Sequence, residues 1–119
     1  MGFMGFFCGS LDASGDPTVV WAVGDVDLAV AARLGAEIEP HLRPGATVLL
    51  DCSGITFIDS LGLRVLVHAS RIADQVQARF MLAAVPEPVH RVLRLAGLAS
   101  SFTVFGTMAE AKALLAERS

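Results

Sequence analysis

From Thr18 onward, short β-rich runs alternate with segments long enough for helices, and this alternation constrains the fold more than any other feature. Thr18 to Val23 is β-branched and aromatic, and Gly24-Asp25-Val26-Asp27 ends that strand. An Ala- and Leu-rich stretch predicts a helix from about Leu28 to His41, stopping before Arg43-Pro44-Gly45. Thr47 to Asp51 reads as a buried strand, and Cys52 to Ile58 as a connecting loop with apolar anchors at Ile55, Phe57 and Ile58. The next helix spans Ser60 to Val76. Its Arg64, His68, Arg71 and Gln75 recur at helical spacing and form one solvent stripe, with apolar residues over much of the remaining circumference.

Arg79 to Ala84 is a further strand, and Pro86-Glu87-Pro88 opens a short helix through about Ala96. Gly97 suits the left-handed position just past that helix. Phe102 to Phe105 is a last short strand. Thr107 and Glu110 form a capping box that opens a terminal helix to about Glu117. At the amino end, Phe3 to Cys8 reads as a first strand, joined through the turn-rich stretch Gly9 to Pro17 to make an antiparallel hairpin. The fold class is therefore α/β, with a mixed, mostly parallel β-sheet, an N-terminal antiparallel hairpin and about four helices.

Such a sheet gathers functional loops at the carboxyl ends of its parallel strands. Here those loops are Gly24 to Asp27 and Cys52 to Ser60. With their strands adjacent, Asp25, Asp27, Asp59 and Ser60 converge at one edge.

At 119 residues, 54% of them apolar and 18% charged, the chain reads as one ordered domain over 1–119. A net charge of −3 with thinly spread basic residues argues against nucleic acid as a partner. Cys8 and Cys52 form no C-x-x-C pair, and two thiols in an acidic chain fit a reduced, cytoplasmic setting. No run of eighteen apolar residues is present to span a membrane. The opening Met1-Gly2-Phe3-Met4-Gly5-Phe6-Phe7 lacks a basic flank and reads as an edge strand in place of a signal peptide. The pattern leaves monomer and dimer open, because an apolar edge can pair with a second copy.

The most informative stretch is Phe57-Ile58-Asp59-Ser60-Leu61-Gly62-Leu63-Arg64. Either Asp59 or Ser60 can cap the free amides at a helix start. Gly62 costs up to about 1 kcal/mol in a first helical turn, which points to close approach of another backbone, in the fold or in a partner. A phosphoryl group on Ser60 would sit at the amino end of the helix and add about −1.5 to −2 charge beside the aspartates. As a catalytic nucleophile Ser60 lacks a nearby base. The chain has no G-x-S-x-G elbow, no phosphate-binding P-loop and no metal-ligand spacing, so neither an enzyme nor a metal or other cofactor is indicated.

Val48-Leu49-Leu50-Asp51-Cys52-Ser53-Gly54-Ile55-Thr56-Phe57-Ile58-Asp59-Ser60-Leu61-Gly62-Leu63 resembles the signature of the STAS domain family, and within it the bacterial anti-sigma factor antagonists. Gly24-Asp25-Val26-Asp27 resembles the family's Gly-Glu-Leu-Asp motif, and Leu95-Ala96-Gly97-Leu98 with its following strand and helix agrees as well. The likeness covers about Thr18 to Leu115 and implies a single STAS-like domain with its core at about 18–115. It further implies that Ser60 is phosphorylated by a partner anti-sigma factor that is a serine kinase. The unphosphorylated form would bind that kinase and free the sigma factor, and a PP2C-type phosphatase would reset the switch. Asp25, Asp27, Asp59, Leu61, Gly62, Leu63 and Arg64 are the implied partner-binding residues. Asp25 stands where Glu is usual, and Leu61 where a second hydroxyl residue is common.

Two other readings compete. A STAS module of a transporter, a lipid-transport complex or a nucleotide- or stress-sensing assembly would share the fold without a sigma-factor partner; the intact Asp59-Ser60-Leu61-Gly62 favours the phosphoswitch. A response-regulator receiver would use Asp51 and a lysine after the fifth strand, but Lys112, the chain's single lysine, lies inside the terminal helix.

Overall fold

The computed structural model describes residues 5–11 and 17–117. Five strands and four helices follow in the order β1 (Phe7–Leu11), β2 (Thr18–Val26), α1 (Leu28–Ile38), β3 (Thr47–Ile58), α2 (Ser60–Val76), β4 (Arg79–Ala83), α3 (Glu87–Leu95), β5 (Thr103–Phe105) and α4 (Met108–Glu117). Short 3₁₀ turns at Glu39–His41 and Ala99–Ser101 complete them. The sheet order is β1-β2-β3-β4-β5, with β1 antiparallel to β2 and every other pair parallel. Each parallel step requires a crossover, and α1, α2 and α3 supply them.

Alternate residues of the strands feed two apolar layers. Val20, Ala22, Val48, Leu50, Phe80 and Leu82 join Leu34, Ile38, Leu66, Ala69 and Leu93 from α1, α2 and α3. Leu49, Met81 and Ala83, on the other face, pack on Ala111 and Leu115 of α4. Among the described residues no helix is long and apolar enough to cross a membrane.

Four boundaries differ by more than one residue from the sequence reading. One is that of β2, which continues through Gly24 and Asp25 to Val26 where a loop is expected, because it stays paired with β3 to Ile58. The first strand lies at Phe7–Leu11, not Phe3 to Cys8; residues 1–4 of that expectation, and 12–16 of the turn, lie outside the described residues. Gly9 and Ser10 are drawn into the strand by cross-strand pairing with Trp21 and Val20. Ser10 is held from the side as well, its Oγ donating to Glu37 Oε2 at 2.8 Å and lying 3.3 Å from His41 Nε2.

The helix expected over Leu28 to His41 ends at Ile38 and tightens into a 3₁₀ turn. Pro40 has no amide to donate to the α-helical ladder.

The largest correction is at Cys52 to Ile58, which is strand in place of loop. β2 and β3 stay paired from Thr18↔Val48 to Val26↔Ile58 because two register irregularities absorb the mismatch. Gly54 sits at the first of them. A Cβ there would lie 2.7 Å from Val23 Cγ2 and 2.9 Å from the Ala22 carbonyl oxygen, so the glycine that reads as a turn residue is a close-approach residue within the sheet.

Candidate functional site

The long pairing of β2 with β3 brings two strand ends together, and each is followed by an aspartate that starts a helix. Val26 and Ile58 are register partners. Asp27 Oδ1 accepts from the Ala29 amide (3.0 Å) and caps α1. Asp59 Oδ1 accepts from the amides of Leu61 (3.0 Å) and Gly62 (2.8 Å) and caps α2. The Asp59 amide donates to the Val26 carbonyl oxygen at 3.2 Å, which locks the two starts side by side. The sequence left open whether Asp59 or Ser60 is the cap; it is Asp59.

Ser60 is the first residue of α2 and is exposed. Among the described residues its hydroxyl has no hydrogen-bond partner. Leu61 is half-buried, Arg64 is exposed one turn further on, and Gly62 and Leu63 are buried. A Cβ on Gly62 would press on the Val26 carbonyl oxygen and lie 2.8 Å from Val26 Cγ1 and 2.9 Å from Ile58 Cγ1. The close approach that Gly62 serves is therefore within the fold. Leu63 is a core residue. These two set the height of Ser60 above the sheet and present no surface of their own.

Asp25 is exposed and accepts a hydrogen bond from Thr56 Oγ1. Asp25 and Asp27 line a shallow cleft of about 360 Å³ with Val23, Gly24, Val30 and Thr56. Ser60 and Asp59 are not among the residues that line it. The structure thus joins Asp27 to Asp59 and Ser60 through the paired strand ends, and turns Asp25 toward Thr56.

Two apolar side chains at this edge escape the sequence reading. Phe57 is 49% exposed and Leu28 68% exposed. Phe57 reads as a loop anchor only while Cys52 to Ile58 is taken for a loop. Once the segment is a strand, its place next to inward-facing Ile58 turns it outward. Leu28 carried no signal beyond its position directly after Asp27.

Nucleophilic chemistry at the cysteines is disfavoured. Burial, with the Asp51 carboxylate adding to it, pushes the Cys52 thiol up to about 12, and burial also raises Cys8. Among the described residues no group of three or more His, Cys, Asp or Glu side chains is arranged to hold a metal ion.

Two adjacent strand ends, each followed by an aspartate that caps a helix, with an exposed serine on the tip of the second helix, give this α/β module its candidate site. The chain belongs to the STAS domain family: a family model described as Mlab, STAS domain, matches residues 10–110. It is 32% identical over 89 residues to the anti-sigma-F factor antagonist RsfB of Mycobacterium tuberculosis, covering 74% of this chain and 72% of that one. It superposes on the crystal structure of an anti-sigma factor antagonist from Mycobacterium paratuberculosis with a TM-score of 0.80 and 25% identity, covering 97% of this chain and 96% of the other. It also shares its fold with the anti-sigma factor antagonist SpoIIAA in its unphosphorylated form, at TM-score 0.76 and 18% identity over 93% of this chain and 97% of that chain.

Proposed function

We propose that this protein is an anti-sigma factor antagonist that is switched at Ser60. In the unphosphorylated state it binds an anti-sigma factor serine kinase and releases the sigma factor. Phosphorylation of Ser60 ends that binding, and a PP2C-type phosphatase restores it. The names of the relatives support an anti-sigma factor as the partner. One observation carries the choice of residue: Ser60 presents an exposed, unpartnered hydroxyl at a helix tip whose cap is supplied by Asp59. In this reading the chain is a regulatory, cytoplasmic protein and a substrate for another protein's active site. Its STAS core spans about 18–115.

The chemistry of the switch follows from the capping. Asp59 already occupies the Leu61 and Gly62 amides. A phosphoryl group on Ser60 therefore cannot take those donors without displacing a carboxylate, and its charge faces outward beside Asp59 and Asp27. A docking surface that is apolar at Leu28 and Phe57 then gains about −1.5 to −2 charge at its centre. Desolvating that charge against a partner is costly, so the complex dissociates while the fold stays intact.

The test is intact-mass analysis after incubation with the partner kinase and ATP. One phosphoryl group should appear on the native chain and none on Ser60→Ala. Ser60→Ala should bind the kinase without release, and Ser60→Asp should bind weakly. Equal binding of the two variants, with unchanged mass of the native chain, would overturn the assignment. A STAS module of a transporter, a lipid-transport complex or a sensing assembly requires no phosphoryl transfer to Ser60, so the same mass measurement separates that alternative from the switch.

A further inference from the structure

α1 and α2 lie side by side on one face of the sheet, and a groove of about 720 Å³ runs between their outer sides. Its α1 wall is built from Ala31, Ala32, Gly35 and Ala36, which carry at most a methyl group. Its α2 wall carries Arg64, His68 and Arg71, all exposed. Glu39 stands on the rim with one carboxylate oxygen 3.7 Å from His68 Nε2. Among the described residues, neither Arg64 nor Arg71 has an ion-pair or hydrogen-bond partner. Two uncompensated guanidinium groups beside one carboxylate make this strip basic on a chain whose net charge is −3.

We infer that this groove seats an acidic α-helix of a protein partner. Charge complementarity selects the sign, and the spacing of the arginines selects the shape. Seven positions along α2 separate Arg64 from Arg71 by roughly 10 Å, two helical turns. Two flexible side chains at that spacing can converge on one compact anion, but such an anion leaves the length of the groove unfilled. A helix with carboxylates at i, i+4 and i+7 presents them at the same pitch and gives each arginine a planar acceptor for paired hydrogen bonds. The wall of alanines and glycine lets such a helix approach α1 at the short end of the roughly 8–10 Å range of interaxial distances. This is the helix-in-groove mode of recognition with a basic rim. The groove lies on the flank of α2 and Ser60 is at its tip, one turn from Arg64, so the test uses the unphosphorylated chain.

The test titrates isotope-labelled full chain with two end-blocked, alanine-based helical peptides, one with Glu and one with Gln at positions i, i+4 and i+7. The Glu peptide should give saturable shifts confined to α1 and α2, and the Gln peptide should bind about tenfold or more weakly. Ala36→Trp fills the groove from an exposed position and should weaken the Glu peptide by a similar factor, with the melting temperature unchanged. The double substitution Arg64→Glu with Arg71→Glu should do the same, and the Lys counterpart of the peptide should then bind in its place. Sodium tripolyphosphate should compete weakly. Equal binding of the Glu and Gln peptides, absence of binding, shifts outside the groove, or full affinity in Ala36→Trp would each overturn the proposal. Tripolyphosphate binding more tightly than the Glu peptide would assign the arginines to a small anion instead.

Discussion

The amide of Asp59 donates to the carbonyl oxygen of Val26, and the missing side chain of Gly62 leaves that same carbonyl room to sit against the first turn of α2. One oxygen at the end of β2 thus sets both where α2 begins and how deeply it is seated. The position of Ser60 is a consequence of this contact.

Gly62→Ala places a methyl group against the Val26 carbonyl and two apolar side chains that are themselves packed. Overpacking of this kind costs about 1–3 kcal/mol. Urea unfolding should show the unfolding free energy falling by that amount, through a lower midpoint at unchanged slope, and Gly62→Leu should fall further. A midpoint equal to that of the native chain would show that α2 can lift away from β2.

Asp59→Ala removes the acceptor for two amides and should cost about 1–2 kcal/mol, the upper part of the range for a lost cap. Asp27→Ala removes the acceptor for the Ala29 amide alone, and should cost less. Asp59→Asn keeps a capping oxygen and should recover most of the loss. If the two alanine variants unfold at the same midpoint, the second amide bond of Asp59 contributes nothing.

Phe57, three residues before Ser60, and Leu28, directly after the cap Asp27, are large apolar groups left in water. On the proposed reading they anchor the partner kinase. Phe57→Ala should weaken that complex by about 2 kcal/mol or more, as central aromatic anchors do, while changing stability by under about 0.5 kcal/mol. Leu28→Ala should act in the same direction. Calorimetric titration of each variant with the kinase gives the affinity, and thermal melts give the control. An unaltered dissociation constant for both would move the docking surface elsewhere.

Cys52 links stability to alkaline pH. Its thiol ionises near 9.0 when unperturbed and near 12 in the folded protein, so the folded state holds its proton where the unfolded chain has lost it. The stabilisation is fully present below pH 9 and is lost as pH rises from about 9 toward 12, at up to about 1.4 kcal/mol per pH unit. Cys8 shifts in the same direction. Unfolding midpoints of the native chain should therefore fall between pH 8.5 and 10.5 more steeply than those of Cys52→Ala; parallel slopes would contradict this.

Much of the architecture is legible from residue order. β-rich runs alternating with helix-length segments leave few sheets other than a mostly parallel one. The limits of α2 at Ser60 and Val76 follow from its solvent stripe and from the polar pair at its start. The extension of β3 is hidden because Ser53 and Gly54 carry turn chemistry, and only the register irregularities of β2 make a strand possible there. The exposure of Phe57 is hidden by the same misreading. Gly62 announces a close approach without saying to what, since the Val26 carbonyl lies 36 positions earlier in the chain. Of the groove between α1 and α2, only the Arg64, His68 and Arg71 wall is marked in the sequence, and there it reads as a solvent stripe. The groove's alanines look like ordinary helix formers until two helices are laid together.

The locked strand ends also bear on timing. Asp27 and Asp59 tie both helix starts to one pair of strands, so a phosphoryl group at Ser60 finds a platform with nowhere to travel. Information held this way is written in charge and not in shape. On the proposed reading the switch would then have no relaxation time of its own, and its tempo would be set by the enzymes that write and erase the phosphoryl group.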